Sequence, residues 1–196
     1  MTKLANFKQR IWEKIAYFDG LAPLALRLYL APVLMQAGYN KLMHFNETVA
    51  WFGDPEWGLG LPFPSVMVAL AAGTELFGSI LLLVGYMTRL VCIPMMFTML
   101  VAAFKVHAQH GWLAIADSQS WLANDRVAES LAKLEKIKAL LQTHGNYQWL
   151  TETGSVVILN NGMEFAITYW IMLFALFFSG GGRATSVDYW LALRKT

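Results

Sequence analysis

Apolar residues fill four long stretches of the chain, and polar connections separate them. The stretches run about Leu21–Tyr39, Pro64–Tyr86, Leu90–Val106 and Gly162–Ser179. A helix that crosses a bilayer needs roughly 20 residues, and these stretches approach or reach that length. The strict alternation of a membrane β-barrel is absent from them. The pattern therefore predicts an all-α membrane protein, built as a four-transmembrane-helix bundle.

The N-terminal 20 residues carry apolar side chains at helical spacing. These are Leu4, Phe7, Ile11, Ile15 and Phe18. Basic residues lie largely off this stripe, which is typical of an amphipathic helix on the anionic cytoplasmic leaflet. A helix packed on the inner end of the bundle is the alternative. No continuous apolar core precedes a small-residue cleavage site, so we do not expect a cleavable signal peptide.

The connection 107–161 lies between the third and fourth stretches and forms an outer-loop insertion. Within it, Asn124–His144 shows helical periodicity, with Asn124 or Asp125 placed to cap the start and Gly145 to end the helix. Five of the eight tryptophans fall in the two outer connections: Trp51, Trp57, Trp112, Trp121 and Trp149. Tryptophan favours the headgroup layer, so these connections form either a lid or a docking surface for a partner protein.

Composition and charge favour the membrane assignment. The chain is 57% hydrophobic and 14% charged, with a net charge of +2, whereas an average soluble domain is about 25% charged. Such a composition argues against disorder, nucleic-acid binding and an ordinary water-soluble enzyme. Cys92 is the single cysteine, which excludes an intrachain disulfide, a CxxC redox pair and a zinc cluster. We predict one membrane domain over residues 1–196, with membrane lipids as its surroundings.

Lysine and arginine are distributed unequally between the two ends of the predicted spans. One side holds Lys3, Lys8, Arg10, Lys14, Arg89, Arg183, Arg194 and Lys195. The other holds Lys41, Arg126, Lys133, Lys136 and Lys138. Because basic residues concentrate on the cytoplasmic side, this distribution predicts that both termini are cytoplasmic.

Two ionisable residues lie inside the predicted spans, where each costs about 3 kcal/mol on insertion scales. Arg27 lies six residues into the first span, and Glu75 lies at the middle of the second. If these spans pack together, the two side chains can meet as an ion pair that locks the bundle. Alternatively they are functional groups that orient a ligand or exchange protons, since burial disfavours the charged carboxylate.

A second set of polar residues lies at the outer ends of the spans. It comprises Lys41, His44, Lys105, His107, His110, Trp112 and Glu164. This is more polarity than membrane anchoring requires, so we predict a polar site there. His107 and His110 have the i,i+3 spacing that can present two rings to an ion, and Met95, Met96 and Met99 resemble a copper(I) ligand set. Neither pattern is specific, and we assign no metal site.

Four motifs occur in order along the chain. Arg27 precedes Gly38-x-x-Lys41-Leu42, Glu75-x-x-Gly78 follows, then Leu83-x-Gly85-x-x-Thr88-Arg89, and finally Gly180-Gly181-Gly182-Arg183 with Ser186-x-Asp188. In these motifs the chain resembles the DoxX family of small bacterial four-span membrane proteins. The resemblance implies a bundle in the bacterial inner membrane and an accessory role in membrane redox systems. It singles out Arg27, Lys41, Glu75 and Arg89, and it implies structural roles for Ser186 and Asp188.

We therefore predict a quinone-interacting or accessory subunit of an oxidoreductase. A quinone fits a cleft between apolar helices, where polar side chains hydrogen-bond its carbonyls and exchange protons. The predicted catalytic residues are Glu75, His107 and Glu164. The predicted quinone-binding residues are Arg27, Lys41, Lys105 and Trp112. The sequence has no haem, flavin or iron–sulfur signature, so electrons come from a bound substrate or a partner.

Two other function classes fit the same residues. A non-catalytic scaffold would dock a soluble partner on the helix Asn124–His144. A small-molecule or metal handler would bind its cargo at the outer mouth of the bundle. Whether the protein is an enzyme is left open at this stage.

Overall fold

The computed structural model describes residues 18–194, which form eight α-helices and no strand. In chain order they are α1 (Leu21–Met43), α2 (Phe45–Gly53), α3 (Pro64–Val84), α4 (Thr88–Val101), α5 (Asp125–His144), α6 (Tyr147–Leu150), α7 (Glu164–Ser179) and α8 (Val187–Leu193). A π-helical turn and a 3₁₀ turn prolong α4 to His110. The predicted N-terminal amphipathic helix lies almost entirely outside the described residues.

Three helices are long and apolar enough to cross a membrane. They are Leu21–Met43, Pro64–Val84 and the continuous segment Thr88–His110, of 23, 21 and 23 residues. The fourth apolar helix, α7, has 16 residues and is about 24 Å long, shorter than the roughly 30 Å hydrocarbon core. The all-helical, multi-pass prediction is confirmed. The exact four-span arrangement stays a prediction, as does the single-domain organisation.

The third span differs from its predicted limits of 90–106, because its helix begins at Thr88 and continues past residue 106. The carboxylate of Asp188 accepts hydrogen bonds from the amides of Met87 and Thr88, at 2.7 and 2.9 Å. The Thr88 amide belongs to the first turn, where a helix has no internal acceptors, and the Met87 amide directly precedes it. A distant aspartate therefore fixes a helix start that the local sequence does not mark.

The chain divides into two compact units. Unit 1 comprises Met1–Thr98 and Tyr169–Thr196, and unit 2 comprises Met99–Thr168. In unit 1, α1 and α3 pack backbone to backbone at Gly38, where a Cβ would lie 2.6 Å from the Leu76 amide nitrogen and 2.9 Å from the Ala72 carbonyl oxygen. Glycine at this position is therefore required for the close approach of the two helices.

Small residues in α3 do not all face a neighbouring helix. Ala72 is fully buried, and a Cβ on Gly78 would lie 3.1 Å from the Met95 sulfur. A Cβ on Gly73 would meet only the edge of Phe77, at 4.0 Å. Sequence analysis alone does not separate these positions, and the structure assigns Ala72 and Gly78, but not Gly73, to close packing.

In unit 2, α5 begins and ends where the sequence predicts. The Asn124 side chain accepts a hydrogen bond from the Val127 amide at 3.1 Å, and the Gly145 amide donates to the Leu141 carbonyl. Val127 is buried, whereas Leu131 and Ile137, apolar residues of the same helix, are 45% and 40% exposed. The helix therefore packs against the rest of unit 2 mainly through its first turn.

Substitution Asn124→Ala is expected to destabilise α5 by about 1 kcal/mol, because it removes the N-cap acceptor. Hydrogen exchange of the α5 amides measures this as roughly fivefold faster exchange. Asn124→Asp keeps an acceptor oxygen and should retain most of the protection. Equal exchange in all three proteins would contradict the capping role.

Candidate functional site

A buried ion pair joins the first and second membrane-spanning helices of unit 1. Lys41 Nζ on α1 lies 2.6 Å from Glu75 Oε2 on α3. The Glu75 side chain is 6% exposed and that of Lys41 is 26% exposed. The contact exists because Gly38, one turn before Lys41, lets the two backbones meet at the level of Glu75. The protein thus holds a carboxylate in its apolar interior with one cation beside it.

Sequence analysis allowed an Arg27–Glu75 pair, and the structure pairs Glu75 with Lys41 instead. Arg27 and Lys41 are separated by 14 positions on α1, which corresponds to about 21 Å along the helix. Because Gly38 packs against Ala72 and Leu76, Glu75 lies at the Lys41 end of α1. Arg27 therefore lies far from the pair and does not contribute to it.

Lys41 lines an open groove of about 510 Å³, which we call the Lys41 groove. Its lining consists of Ala37, Asn40, Lys41, His44, Glu47, Thr48, Trp51 and Phe52. The groove forms at the junction where α1 ends at Met43 and α2 begins at Phe45, with non-helical backbone at His44 (φ −109°, ψ 42°). One side of Lys41 thus contacts a buried carboxylate, and the other faces a space with aromatic walls.

The His44 imidazole in this groove has a defined hydrogen bond. Its Nδ1 lies 3.1 Å from the carbonyl oxygen of Asn40, to which it donates since a carbonyl can only accept. The hydroxyl of Thr48 donates to the His44 carbonyl at 2.8 Å. Nε2 is then the ring atom left to interact with a ligand or solvent.

The helix α2 has no counterpart among the predicted elements. The available signals were Phe45, Val49 and Phe52 at helical spacing, with Glu47 in the first turn. The turn after α2 is fixed by the Asp54 carboxylate, which accepts from the amides of Trp57 and Glu56. These hydrogen bonds, that from Trp57 first, lower the pKa of the Asp54 carboxyl from its ordinary value.

Arg27 is fully buried at the opposite end of α1. Its Nη2 donates to the carbonyl oxygen of Thr185 at 2.7 Å, while Nε and Nη1 find no hydrogen-bond partner within residues 18–194. Gly85 ends α3 with a φ of +71°, and a Cβ there would lie 1.7 Å from Arg27 Nη1. The guanidinium is thus enclosed by the end of α3 and the C-terminal segment.

The C-terminal motif residues hold this end of unit 1 together. Ser186 accepts from the Tyr189 amide and so caps α8, and the Asp188 amide donates to the Gly85 carbonyl at 3.0 Å. Together with the capping of α4 by the Asp188 carboxylate, these contacts agree with structural roles for Ser186 and Asp188. Arg27 and Arg89 both contact backbone carbonyls of the same region.

Four predicted site residues lie in unit 2. Glu164 Oε2 accepts from the Ala114 amide at 3.0 Å, and the Glu164 amide donates to the Trp112 carbonyl. His107 Nδ1 and the neighbouring His110 Nδ1 lie 2.9 and 3.1 Å from the Asn161 carbonyl oxygen. Lys105 is exposed. Their predicted convergence with Lys41 and Glu75 stays a prediction.

Metal chemistry has little geometric basis in the described residues. Across residues 18–194, no group of three or more His, Cys, Asp or Glu side chains is arranged to hold a metal ion. Both His107 and His110 direct one ring nitrogen to a carbonyl oxygen, and Met95 is buried beside Gly78. These side chains are used for packing and for hydrogen bonds to the backbone.

Comparison with known proteins bears on the motifs of α1, α3 and α4. The family model for DoxX matches residues 22–108, a stretch that contains Arg27, Lys41 and Glu75. No curated protein and no solved structure was found to match the chain. The matched region contains the three long apolar helices almost entirely. The resemblance predicted from the motifs is confirmed: residues 22–108 match the DoxX family model, and this stretch lies in a membrane protein with several apolar helices.

Proposed function

We propose that this DoxX-domain protein is a quinone-interacting component of a membrane redox system, either as a subunit or as an electron-transfer partner of an oxidoreductase. The observation that carries the proposal is the Lys41–Glu75 pair, whose lysine lines the Lys41 groove. An ionisable pair between membrane helices is costly, so its retention beside an accessible groove favours a functional role over a purely structural one.

The groove has the dimensions and chemistry that a quinone headgroup requires. Its volume of about 510 Å³ lies within the roughly 300–1,000 Å³ range of small-molecule sites. Lys41 can donate to a quinone carbonyl while another of its three N–H groups stays on Glu75. Trp51 and Phe52 supply aromatic surface for a flat ring. A bound quinone would supply two-electron, two-proton carrier chemistry at this position.

The chain's own residues then have distinct tasks. Glu75 positions the Lys41 ammonium and compensates its charge, so a proton is held at Lys41 Nζ next to the ligand. His44 donates its Nδ1 hydrogen to the Asn40 carbonyl, so its Nε2 is the ring atom placed to exchange a proton between the groove and water. Electrons come from a substrate or a partner oxidoreductase, since the sequence contains no haem, flavin or iron–sulfur signature.

We also propose roles for a second polar set, which comprises His107, Glu164, Lys105 and Trp112. Glu164 is engaged by the Ala114 amide, so its expected role is to position the loop that carries Trp112. His107 keeps one ring nitrogen for a ligand after its contact with Asn161. Variant His107→Gln tests this set separately from Lys41 and Glu75.

A second candidate function, partner docking through unit 2, is favoured by its exposed apolar side chains. Trp121 is 90% exposed, Trp149 is 68% exposed and Leu140 on α5 is 60% exposed. Aromatic side chains are enriched at protein interfaces. Docking and quinone binding are compatible, because a quinone-linked subunit needs a source of electrons.

Calorimetric titration with a short-chain quinone tests the proposal in mild detergent. We expect the double variant Lys41→Met/Glu75→Met to bind at least about tenfold more weakly than the parent protein, because it lacks the charge-assisted donor. The matched control is Glu129→Met/Lys133→Met, which removes an exposed pair whose charged atoms are 3.9 Å apart. Equal affinities in all three proteins would overturn the assignment of the Lys41 groove.

A further inference from the structure

A second, larger groove opens in unit 1 at the end where α1 and α4 begin and α7 ends. It has a volume of about 770 Å³, and Arg89, Arg183, Asp19, Asp188 and the glycines 180–182 are among its lining residues. We call it the Arg89 groove. It lies at the opposite end of α1 from Lys41, and none of its lining residues belongs to the Lys41 groove.

One side of the Arg89 groove is built to receive an anion. Arg89 Nη2 donates to the Phe178 carbonyl at 3.1 Å, which leaves other N–H groups of the guanidinium available. The guanidinium lies against the glycine loop, with Nε 3.4 Å from the position of a Cβ on Gly180. A planar, multiply donating guanidinium is the side chain best suited to phosphate.

The glycine loop adds backbone donors. Gly180 and Gly182 have φ values of +74° and +95°, which glycine adopts without strain. In the described part of the chain, the amides of Gly181 and Gly182 have no hydrogen-bond acceptor, although Gly181 is buried. Buried amides without acceptors are rare, and amides in such loops form anion-binding concavities. A ligand oxygen would satisfy them.

The carboxylates of the groove are not equivalent. Asp188 already accepts two amide hydrogen bonds, from Met87 and Thr88. Asp19 is exposed and makes no hydrogen bond or ion pair with any described residue. The Arg89 groove therefore presents an anion receptor and, on its rim, one carboxylate able to accept a cation.

An apolar track leads away from the groove along α4. Leu90 lines the groove and is 57% exposed, and Ile93 and Phe97 are 50% and 68% exposed. Their spacing of three and four residues places them on one face of the helix. In a membrane-spanning helix, such a face contacts acyl chains.

We propose that the Arg89 groove binds an aminophospholipid of the phosphatidylethanolamine class. Its phosphate contacts Arg89 and the Gly181 and Gly182 amides, its primary ammonium contacts Asp19, and an acyl chain follows Leu90, Ile93 and Phe97. Phosphatidylglycerol offers no cation to Asp19, and the quaternary ammonium of phosphatidylcholine cannot donate a hydrogen bond. The proposal is independent of the quinone site.

Native mass spectrometry of the full chain in mild detergent tests this with three lipids of identical acyl chains. We expect phosphatidylethanolamine to bind about tenfold more tightly than phosphatidylglycerol or phosphatidylcholine, as one charge-assisted hydrogen bond predicts. Arg89→Gln should weaken all three lipids by a similar factor. Asp19→Asn should abolish only the preference and keep the fold, because the Asp19 side chain is exposed and makes no hydrogen bond with any described residue. Arg194→Gln, an arginine outside the groove lining, is the matched control.

Two results would overturn the proposal. Equal affinities for the three lipids, or a preference unchanged in Asp19→Asn, would remove the role of the ammonium. Saturation by inorganic phosphate at the same concentration as by lipid would identify a free-phosphate site instead. Quinone titration of Asp19→Asn should match the parent protein, so failure here is distinguishable from failure of the Lys41 groove.

Discussion

Substitution Lys41→Met is expected to lower the free energy of unfolding by about 3 kcal/mol, because it leaves Glu75 buried without its cation. The Glu75 side chain is 6% exposed, so water replaces little of the lost interaction. The double variant Lys41→Met/Glu75→Met removes both charges and should regain most of this stability. The effects of Lys41→Met and Glu75→Met on the free energy of unfolding are therefore expected to be strongly non-additive.

Thermal unfolding in mild detergent measures these differences. Lys133→Met is the matched control, because Lys133 and Glu129 are each at least 70% exposed and their charged atoms are 3.9 Å apart. Exposed pairs contribute little, so this variant should unfold like the parent protein. If Lys41→Met and Lys133→Met have the same effect, the ion pair does not stabilise the bundle.

Substitution Gly85→Ala is expected to destabilise unit 1 by at least about 3 kcal/mol, for two separate reasons. The residue has a φ of +71°, which costs alanine about 1–2 kcal/mol. The new Cβ would also lie 1.7 Å from Arg27 Nη1 and 2.6 Å from the Cβ of Ser186. Arg27 would have to move and lose its hydrogen bond to Thr185.

Gly73→Ala in the same helix is the control for this prediction. Its Cβ meets only the edge of Phe77, at 4.0 Å, so it should be neutral or gain up to about 1 kcal/mol from helix propensity. A double-mutant cycle with Arg27→Ala separates the steric contribution from backbone strain. Equal stabilities of Gly85→Ala and Gly73→Ala would contradict the close packing at the end of α3.

The helices were predictable because their signals are local. Long apolar runs mark α1, α3 and α4, and Asn124 and Gly145 mark the limits of α5. The short helix α2 was not predicted, because Asn46 and Thr48 are weak helix formers and His44 interrupts the preceding helix. Local propensity thus accounts for the long helices and for the absence of α2 from the predictions. The short helices α6 and α8 likewise have no counterpart among the predicted elements.

The pairing of charged residues was not predictable in the same way. Arg27 and Lys41 lie on one helix, and sequence alone does not say which of them faces Glu75. The answer depends on Gly38, whose missing side chain sets the contact level of α1 and α3. Arg27 finds its acceptor at Thr185, 158 positions along the chain, and no periodicity connects two such residues. Tertiary contacts of this kind become visible only in the folded structure.

Mass spectrometry of the organic extract from protein purified in mild detergent tests the central claim most directly. The proposed role of the Lys41 groove predicts quinone in near-stoichiometric amount with the parent protein and with Glu129→Met/Lys133→Met. It predicts strong depletion of quinone in Lys41→Met/Glu75→Met, a variant expected to stay folded. Phospholipid without enriched quinone in the parent protein, or equal quinone in all three proteins, would contradict it.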